Sequence, residues 1–413
     1  MRIALVETSA HGGLLHYAVQ LGDALARRGN DVDLITARGN ELADRELAAR
    51  MRDVLTPPLA KRVPARTRAG YFVRRANVAV RLAMTWARAV REVRRRGRYD
   101  AVILNSDLTL PPATLGGGII LSGRRTATVA NVCHNVRLYN RWRGDLIIDS
   151  ARAEAPMRRL YPRFDVVFVH GASSRREFEE HWPPTSLSVI PHGDERIFGD
   201  DAPPPAGEER ILFFGDLRKV KGLDVLMEAF DLLAARRPSA RLTIAGTPAP
   251  ADYDPKPMLE WAGRHGDRVE VIDRYVEMDE VRPLFARARV VVTPYLIGYQ
   301  SGVIHLAMTM SRAVVSSDVG DLGTAVRDGE TGRLVPPSDP AALADALEEV
   351  VADPELAEQL GAEGRERVLD TSSWEEVAAL VEEALSAAAA SRGSSRRAPR
   401  RKDPAAAPPT GRR

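Results

Sequence analysis

Short runs of β-branched and other apolar residues recur along the chain, each closed by a turn signal and followed by a helical pattern. Ile3-Ala4-Leu5-Val6 leads through His11-Gly12-Gly13 into a helix that reaches Leu25. Asp31 to Thr36, Ala101 to Leu104, Thr128 to Val132, Val166 to Val169 and Ser188 to Ile190 read as the further strands of this half. Apolar strands alternating with helices predict parallel βαβ units, in which each strand is covered on both faces. The Pro-rich, acidic stretch from Gly199 to Glu209 interrupts the pattern as an interdomain link would. The alternation restarts at Arg210 to Phe214 and continues through Leu242 to Ala245, Val269 to Ile272, Val290 to Val292 and Ala313 to Ser316. Two successive doubly wound units are therefore predicted. Ligands of open α/β sheets bind beyond the carboxyl ends of the strands, so two facing units make a cleft. An amphipathic helix covers Trp374 to Leu385, and from Ala387 a composition of Ala, Pro, Ser and Arg predicts disorder. The expected segments are 1–197, 198–370, a C-terminal helix 371–386 and a disordered basic tail 387–413.

Composition agrees with two domains. A chain of 413 residues exceeds what one hydrophobic core organises, and 44% apolar with 28% charged residues is ordinary for a soluble protein. The single cysteine, Cys133, excludes an internal disulfide and a Cys-rich zinc site and fits a reducing compartment. Glu7 falls too early for a signal-peptide apolar region, and no stretch approaches the roughly 20 apolar residues of a membrane span. A cytoplasmic location is expected.

Charge is distributed unevenly. The net +3 conceals a block from Leu59 to Arg98 that carries about +12 by formal count, and a tail from Ala387 that carries about +7. The first block includes a helical stretch with Tyr71, Phe72, Val73, Val80, Met84 and Trp86 among arginines. Such a segment suits docking on an anionic membrane surface, peripheral to the inner face of the plasma membrane; an exposed basic helix without a partner has the same sequence. Nucleic acid is the rival partner for this charge, but no nucleic-acid module accompanies it, and none is expected to bind.

The candidate chemistry lies at strand ends. Phe213-Phe214-Gly215-Asp216-Leu217-Arg218-Lys219-Val220-Lys221-Gly222 closes a strand and opens a helix, so Arg218 and Lys221 project beside a helix N-terminus. An Arg fork with a Lys point charge can neutralise a diphosphate; two solvated surface cations would look the same in sequence. Gln300-Ser301-Gly302-Val303 follows the strand Val290 to Val292. Ser301 suits an N-cap, Gly302 admits close approach, and the free N–H groups with the helix dipole favour a phosphate, although an ordinary capped helix reads alike. In the first half Gly12-Gly13 is not the dinucleotide pattern G-x-G-x-x-G, which argues against an NAD enzyme. His134 stands at another carboxyl end, where a structural histidine is equally compatible. Asp31-Val32-Asp33 matches a metal-binding D-x-D but opens an early strand in the wrong half, and no H-E-x-x-H, Cys/His or G-x-S-x-G pattern occurs. No metal is expected.

Taken together, these stretches resemble the retaining glycosyltransferases of the family 4 type, which have the GT-B fold of two Rossmann-like domains. The resemblance runs to about Leu385 and rests on Gly12-Gly13, Cys133-His134-Asn135, Ile190-Pro191-His192-Gly193, Arg218-x-x-Lys221-Gly222, Val319-Gly320 and Asp328-Gly329-Glu330-Thr331-Gly332. It implies a nucleoside-diphosphate sugar as donor substrate, no other cofactor, and a glycan or lipid-linked acceptor, as in cell-envelope synthesis. It further implies that the donor is held by Gly12, Gly13, Gly222, Gln300, Ser301, Gly302 and Val303, with His16 and Asn135 on the acceptor side. Arg218 and Lys221 would stabilise the departing diphosphate, and His134 would orient the donor sugar or acceptor hydroxyl. The family's usual two glutamates fall on Gly298 and Leu306, so both acids are missing; a branch with the Gln-Ser-Gly-Val turn shares this departure. A non-catalytic binder of sugar nucleotides or polyanions with the same fold is the alternative.

Overall fold

In the first half, seven strands alternate with helices: β1 (Arg2–Val6), α1 (Gly13–Arg27), β2 (Asp31–Ala37), β3 (Arg50–Leu55), α2 (Arg68–Arg95), β4 (Ala101–Leu104), α3 (Pro111–Gly123), β5 (Thr128–Val132), α4 (Ala151–Leu160), β6 (Val166–Val169), α5 (Ala172–His181) and β7 (Leu187–Val189). The second half contains β8 (Arg210–Phe214), α6 (Leu223–Arg236), β9 (Arg241–Ala245), α7 (Lys256–His265), β10 (Val269–Ile272), α8 (Met278–Arg287), β11 (Val290–Thr293), α9 (Gly302–Thr309), β12 (Ala313–Ser317), α10 (Leu322–Ala325), β13 (Arg333–Val335), α11 (Pro340–Ala352), α12 (Pro354–Thr371) and α13 (Trp374–Arg397). The computed structural model describes residues 1–57, 68–95, 99–106, 108, 111–123, 127–137, 151–201, 203, 207–249 and 253–397.

Both sheets are parallel throughout. The strand order is β3-β2-β1-β4-β5-β6-β7 in one and β10-β9-β8-β11-β12-β13 in the other. The order reverses between β1 and β4 in the first sheet and between β8 and β11 in the second, and such switch points are where open α/β sheets take ligands. Alternation along β1 sends Ile3 and Leu5 to one face and Ala4 and Val6 to the other, and the two faces belong to different clusters of the core. The second sheet is buried around Ile211, Phe213, Leu242, Val291 and Val314.

Four features depart from the sequence expectation. β3 and the three-residue β13 are edge strands that the apolar pattern misses. Arg50-Met51-Arg52-Asp53 reads as polar because Arg50 and Arg52 reach back to Asp33 at 3.0 and 3.3 Å. Asp33 also accepts from Tyr99 Oη at 2.8 Å. The acids of Asp31-Val32-Asp33 thus serve an ion-pair network at the start of β2, away from its carboxyl end. The last helix runs to Arg397, beyond the expected boundary at 386; the alanine run Ala387 to Ala390 is the strongest helix-forming composition and outweighs the tail's polar bias. Residues 398–413 of the expected tail lie outside the described residues. Finally, α13 is not a separate unit: Trp374, Val377, Ala378, Val381 and Leu385 pack with Ile3, Leu5, Tyr17 and Leu21 in the first domain.

The basic helix also differs in detail. Trp86 is buried, and a Cβ on Gly116 of α3 would sit 2.6 Å from its ring, so it belongs to the core and not to a docking surface. Val78, Val80 and Met84 are exposed at 41, 56 and 44%. Residues 58–67 and 96–98, and the side chains of Tyr71, Phe72 and Val73, lie outside what the structure describes.

Candidate active site at the domain seam

The loop after β8 is built around two glycines and one leucine. Gly215 turns at φ 118°, and buried Leu217 pairs with the loop after β9, its N–H donating to Thr247 O at 2.9 Å. One turn of 3-10 helix, Lys219–Lys221, ends at Gly222 with φ 68°. A Cβ there would lie 1.8 Å from Pro294 O, so only glycine permits this left-handed turn to press on the loop after β11. Leu296 N donates to Val220 O at 2.9 Å and closes the same contact.

That contact fixes the two cations. Lys221 Nζ stands 3.5 Å from the ring centroid of Tyr295, a cation–π geometry that leaves the ammonium's other directions free for an anion. Tyr295 is buried, and its hydroxyl lies 3.4 Å from Ser301 Oγ. Arg218 is 19% exposed at its side chain, with Nε 3.7 Å from the Asp216 carboxylate. Arg218 Nε and Gln300 Oε1 are both buried without a hydrogen-bond partner, an arrangement that costs free energy unless a ligand or solvent serves it. Ser301, in extended conformation, precedes α9, but its side chain makes no capping bond.

α9 joins this cation site to the first domain. A Cβ on Gly302 would lie 3.4 Å from both Glu195 Oε1 and His192 Nε2, and Val303 Cγ2 is 3.7 Å from the corresponding position on Gly215. One turn further on, His305 stacks on His192 with ring centroids 4.8 Å apart, and Glu195 N donates to Thr309 Oγ1 at 3.0 Å. Glu195 accepts from Gln20 at 3.2 Å, and burial pushes its carboxyl up to about 8. Gly193 makes room for Trp374, whose Nε1–H donates to Asp194 O at 2.6 Å.

In the first domain the sequence candidates separate. Gly12 turns at φ 83°, and nothing stands within 4 Å of a Cβ built on Gly12 or Gly13, so this loop faces open space. Its partner is a residue that the sequence did not single out. Glu41 accepts from Gly12 N at 2.6 Å, from the His16 ring at 2.6 Å and from Tyr275 Oη of the second domain at 2.7 Å. Burial pushes this carboxyl up, but the bonds from His16, Gly12 and Tyr275 outweigh it and hold it at about 2. A groove of about 390 Å³ lined by Glu41, Leu42, Phe198 and Met278 opens beside the contact. His16 is thereby occupied by Glu41, whereas Asn135 is exposed at the end of β5.

His134 is buried in a group of four histidines. His134, His170 and His192 surround Tyr17 with centroid distances of 4.8, 5.4 and 5.4 Å, and His305 joins through His192. Burial, aided by His192, pushes His134 down to about 3, and it pushes His170, His192 and His305 down as well. All four are neutral imidazoles at neutral pH. A third contact between the domains lies at α5, where Asp321 accepts from Ser173 N at 2.8 Å and Ser174 N at 2.9 Å. Gly298 and Leu306 hold no acid, and Leu306 is buried in the second core. Among the described residues, no group of three or more His, Cys, Asp or Glu side chains is placed to hold a metal ion, and no helix is long and apolar enough to cross a membrane.

Two parallel sheets with loops converging from their switch points define the GT-B fold, and solved structures confirm it. Sucrose-phosphate synthase from Thermosynechococcus elongatus superposes with a TM-score of 0.70 at 22% identity, over 94% of this chain and 99% of that one. HepE from Anabaena, solved with UDP-glucose, gives 0.69 at 17% identity over 94% and 100%. Residues 11–193 match the family model described as Glycosyltransferase Family 4, and residues 208–353 match Glycosyl transferases group 1, so the two halves carry these two domains in succession. Among curated proteins, the D-inositol 3-phosphate glycosyltransferase of Arthrobacter sp. (strain FB24) is 36% identical over 186 residues, 44% of this chain and 43% of that protein. The glycogen synthase of Mycobacterium tuberculosis is 31% identical over 223 residues, 52% of each. The chain thus spans about half the length of these two relatives.

Proposed function

We propose that this protein is a metal-independent glycosyltransferase that moves a sugar from a nucleoside-diphosphate sugar to an acceptor hydroxyl with retention. The observation that carries the reading is the joint placement of Arg218, Lys221 and the Gln300-Ser301-Gly302 turn on the two loops that flank the second sheet's switch point. Charge that grows on a departing diphosphate is stabilised by fixed cations and by N–H groups at a helix N-terminus, which supplies the electrostatic work without a metal. Gly12 and Gly13 border the donor sugar from the first domain, with His16 and Asn135 toward the acceptor. Two carboxyls of the seam, Glu41 and Glu195, favour front-face attack over a covalent glycosyl intermediate. Glu41 is engaged by three hydrogen bonds, and burial pushes the Glu195 carboxyl up to about 8, which makes both poor nucleophiles.

A thermal-shift screen with UDP, GDP and ADP and their sugars tests the proposal. One nucleoside diphosphate should stabilise the protein by about 2.7 kcal/mol at a hundredfold excess over its dissociation constant, and its sugar should be transferred or hydrolysed. Binding without any turnover would leave a non-catalytic binder, and no shift with any nucleotide overturns the reading.

We further propose a membrane-linked acceptor, as in cell-envelope glycan or glycolipid synthesis, with the protein peripheral to the inner face of the membrane. Exposed Val78, Val80 and Met84 on α2, with exposed Arg91 and Arg95 further along the same helix, support this: apolar side chains enter the headgroup region while arginines meet anionic lipid. The protein should float with anionic liposomes at low salt and lose that association in Val80→Glu/Met84→Glu. Failure to float at low salt sinks the idea.

A further inference from the structure

His134 sits in a file of hydrogen bonds whose direction follows from one group that can only accept, the Leu14 carbonyl. Asn105 follows β4 and is fully buried. Its Nδ2 donates to Leu14 O at 3.0 Å and to Glu7 Oε2 at 2.7 Å. A carbonyl oxygen can only accept, so the amide cannot be turned over, and Oδ1 is the atom that faces His134. His134 Nε2 lies 3.0 Å from that oxygen and must carry the proton. A neutral imidazole then has a lone pair on Nδ1, and the group 3.1 Å from it, His170 Nε2, must be the donor. Both nitrogens of His134 are therefore committed inside the protein. Burial pushes Glu7 up, opposed by the bonds from Ser9 and Asn105, but the Leu14 carbonyl sets the direction of the file whatever the state of Glu7.

We propose that Asn105 and His170 are positioning residues that lock His134 as its Nε2-protonated tautomer, so that His134 shapes the cleft floor without exchanging a proton with substrate. The remaining groups that face it fit this role. Tyr17 of α1 presents its ring at 89° and 4.8 Å, and burial pushes its phenol up, so it supplies no charge. His192, after β7, is neutral, and its proximity disfavours a proton on His134. Among the described residues no carboxyl is hydrogen-bonded to the His134 ring; the nearest carboxyl in the file, Glu7, is separated from it by the Asn105 amide. The loops after β1, β4, β5 and β6 are tied together by this one file, and two of them leave the switch-point strands. An imidazole that took up a proton would break the bond from His170 and place an uncompensated charge in the core.

The test is a long-range 15N–1H spectrum of the imidazoles together with a pH profile, on the full chain. In the wild type, His134 should show the Nε2–H tautomer and no imidazolium signature down to pH 5. Asn105→Asp places a carboxylate against Nε2–H, which favours the charged ring, so an imidazolium should titrate above pH 5. The transfer rate should acquire a matching acid limb that a merely structural loss would not produce. A wild-type Nδ1–H tautomer, or an Asn105→Asp protein with an unchanged spectrum and profile, overturns the proposal. If Asn105→Asp does not fold, His170→Gln keeps a donor for Nδ1 and should keep the ring neutral down to pH 5, whereas His170→Phe removes that donor and should let an imidazolium titrate at higher pH; equal titrations from the two overturn the proposal as well. The rate arm rests on the glycosyl-transfer reading and the spectroscopic arm does not. A protein with the expected tautomer and no turnover would sink that reading alone.

Discussion

Arg218→Ala and Lys221→Ala are each expected to lower the rate of glycosyl transfer by roughly 10²- to 10³-fold, while donor affinity falls much less. The asymmetry follows from where charge develops. A bound nucleotide sugar already carries its diphosphate charge, but the bridging oxygen becomes an anion only as the sugar leaves. A cation fixed before the reaction is worth most at that point. Both cations are fixed: Lys221 by the Tyr295 ring at 3.5 Å, and Arg218 by a partly buried site beside Asp216. Lys221→Arg should recover little, because a guanidinium lying flat on the ring would not project the point charge that the ammonium does. Steady-state rates and nucleotide affinity measured separately on each variant decide the matter. A change in affinity alone, at an unchanged maximal rate, would remove these residues from the chemistry.

The second large effect is expected at Gly222. Alanine there must adopt a backbone at φ 68° and place its Cβ 1.8 Å from the carbonyl of Pro294. Strain and clash together should cost on the order of 3 kcal/mol. The loop after β8 then moves off the loop after β11, and the contact that positions Lys221 on Tyr295 opens. Chemical denaturation should show a lowered midpoint, and nucleotide-induced stabilisation should vanish with it. Gly13→Ala is the control, since nothing stands within 4 Å of its Cβ and its fold should be intact. Equal stability of Gly222→Ala and the wild type would show that the clamp is not needed.

The central strands were legible because each is buried on both faces, which forces a run such as Val290 to Thr293 to be apolar from end to end. Edge strands escape that pressure: β3 spends its arginines on Asp33. Arg218, Lys221 and the turn at Gly302 stood out for a similar reason, because each pairs a special residue with the end of a strand. Glu41 and Glu195 gave no such signal. They lie in loops without a spacing rule, and their partners, Tyr275 and Gln20, are distant in sequence, so only the folded chain brings them together. The same holds for His134. The sequence left a structural histidine and a substrate-facing one open, and the fold supplies partners for both of its nitrogens.

The return of α13 to the first domain bears on how the chain acquires its shape during synthesis. As residues leave the ribosome, β1 to β7 emerge first, yet their sheet lacks Trp374, Val377, Val381 and Leu385 on one face until the second domain has been made. The second domain holds its own core and needs nothing from α13. The residues that close the first domain's face are thus among the last to be made, so that face is completed only after the whole second domain has been translated.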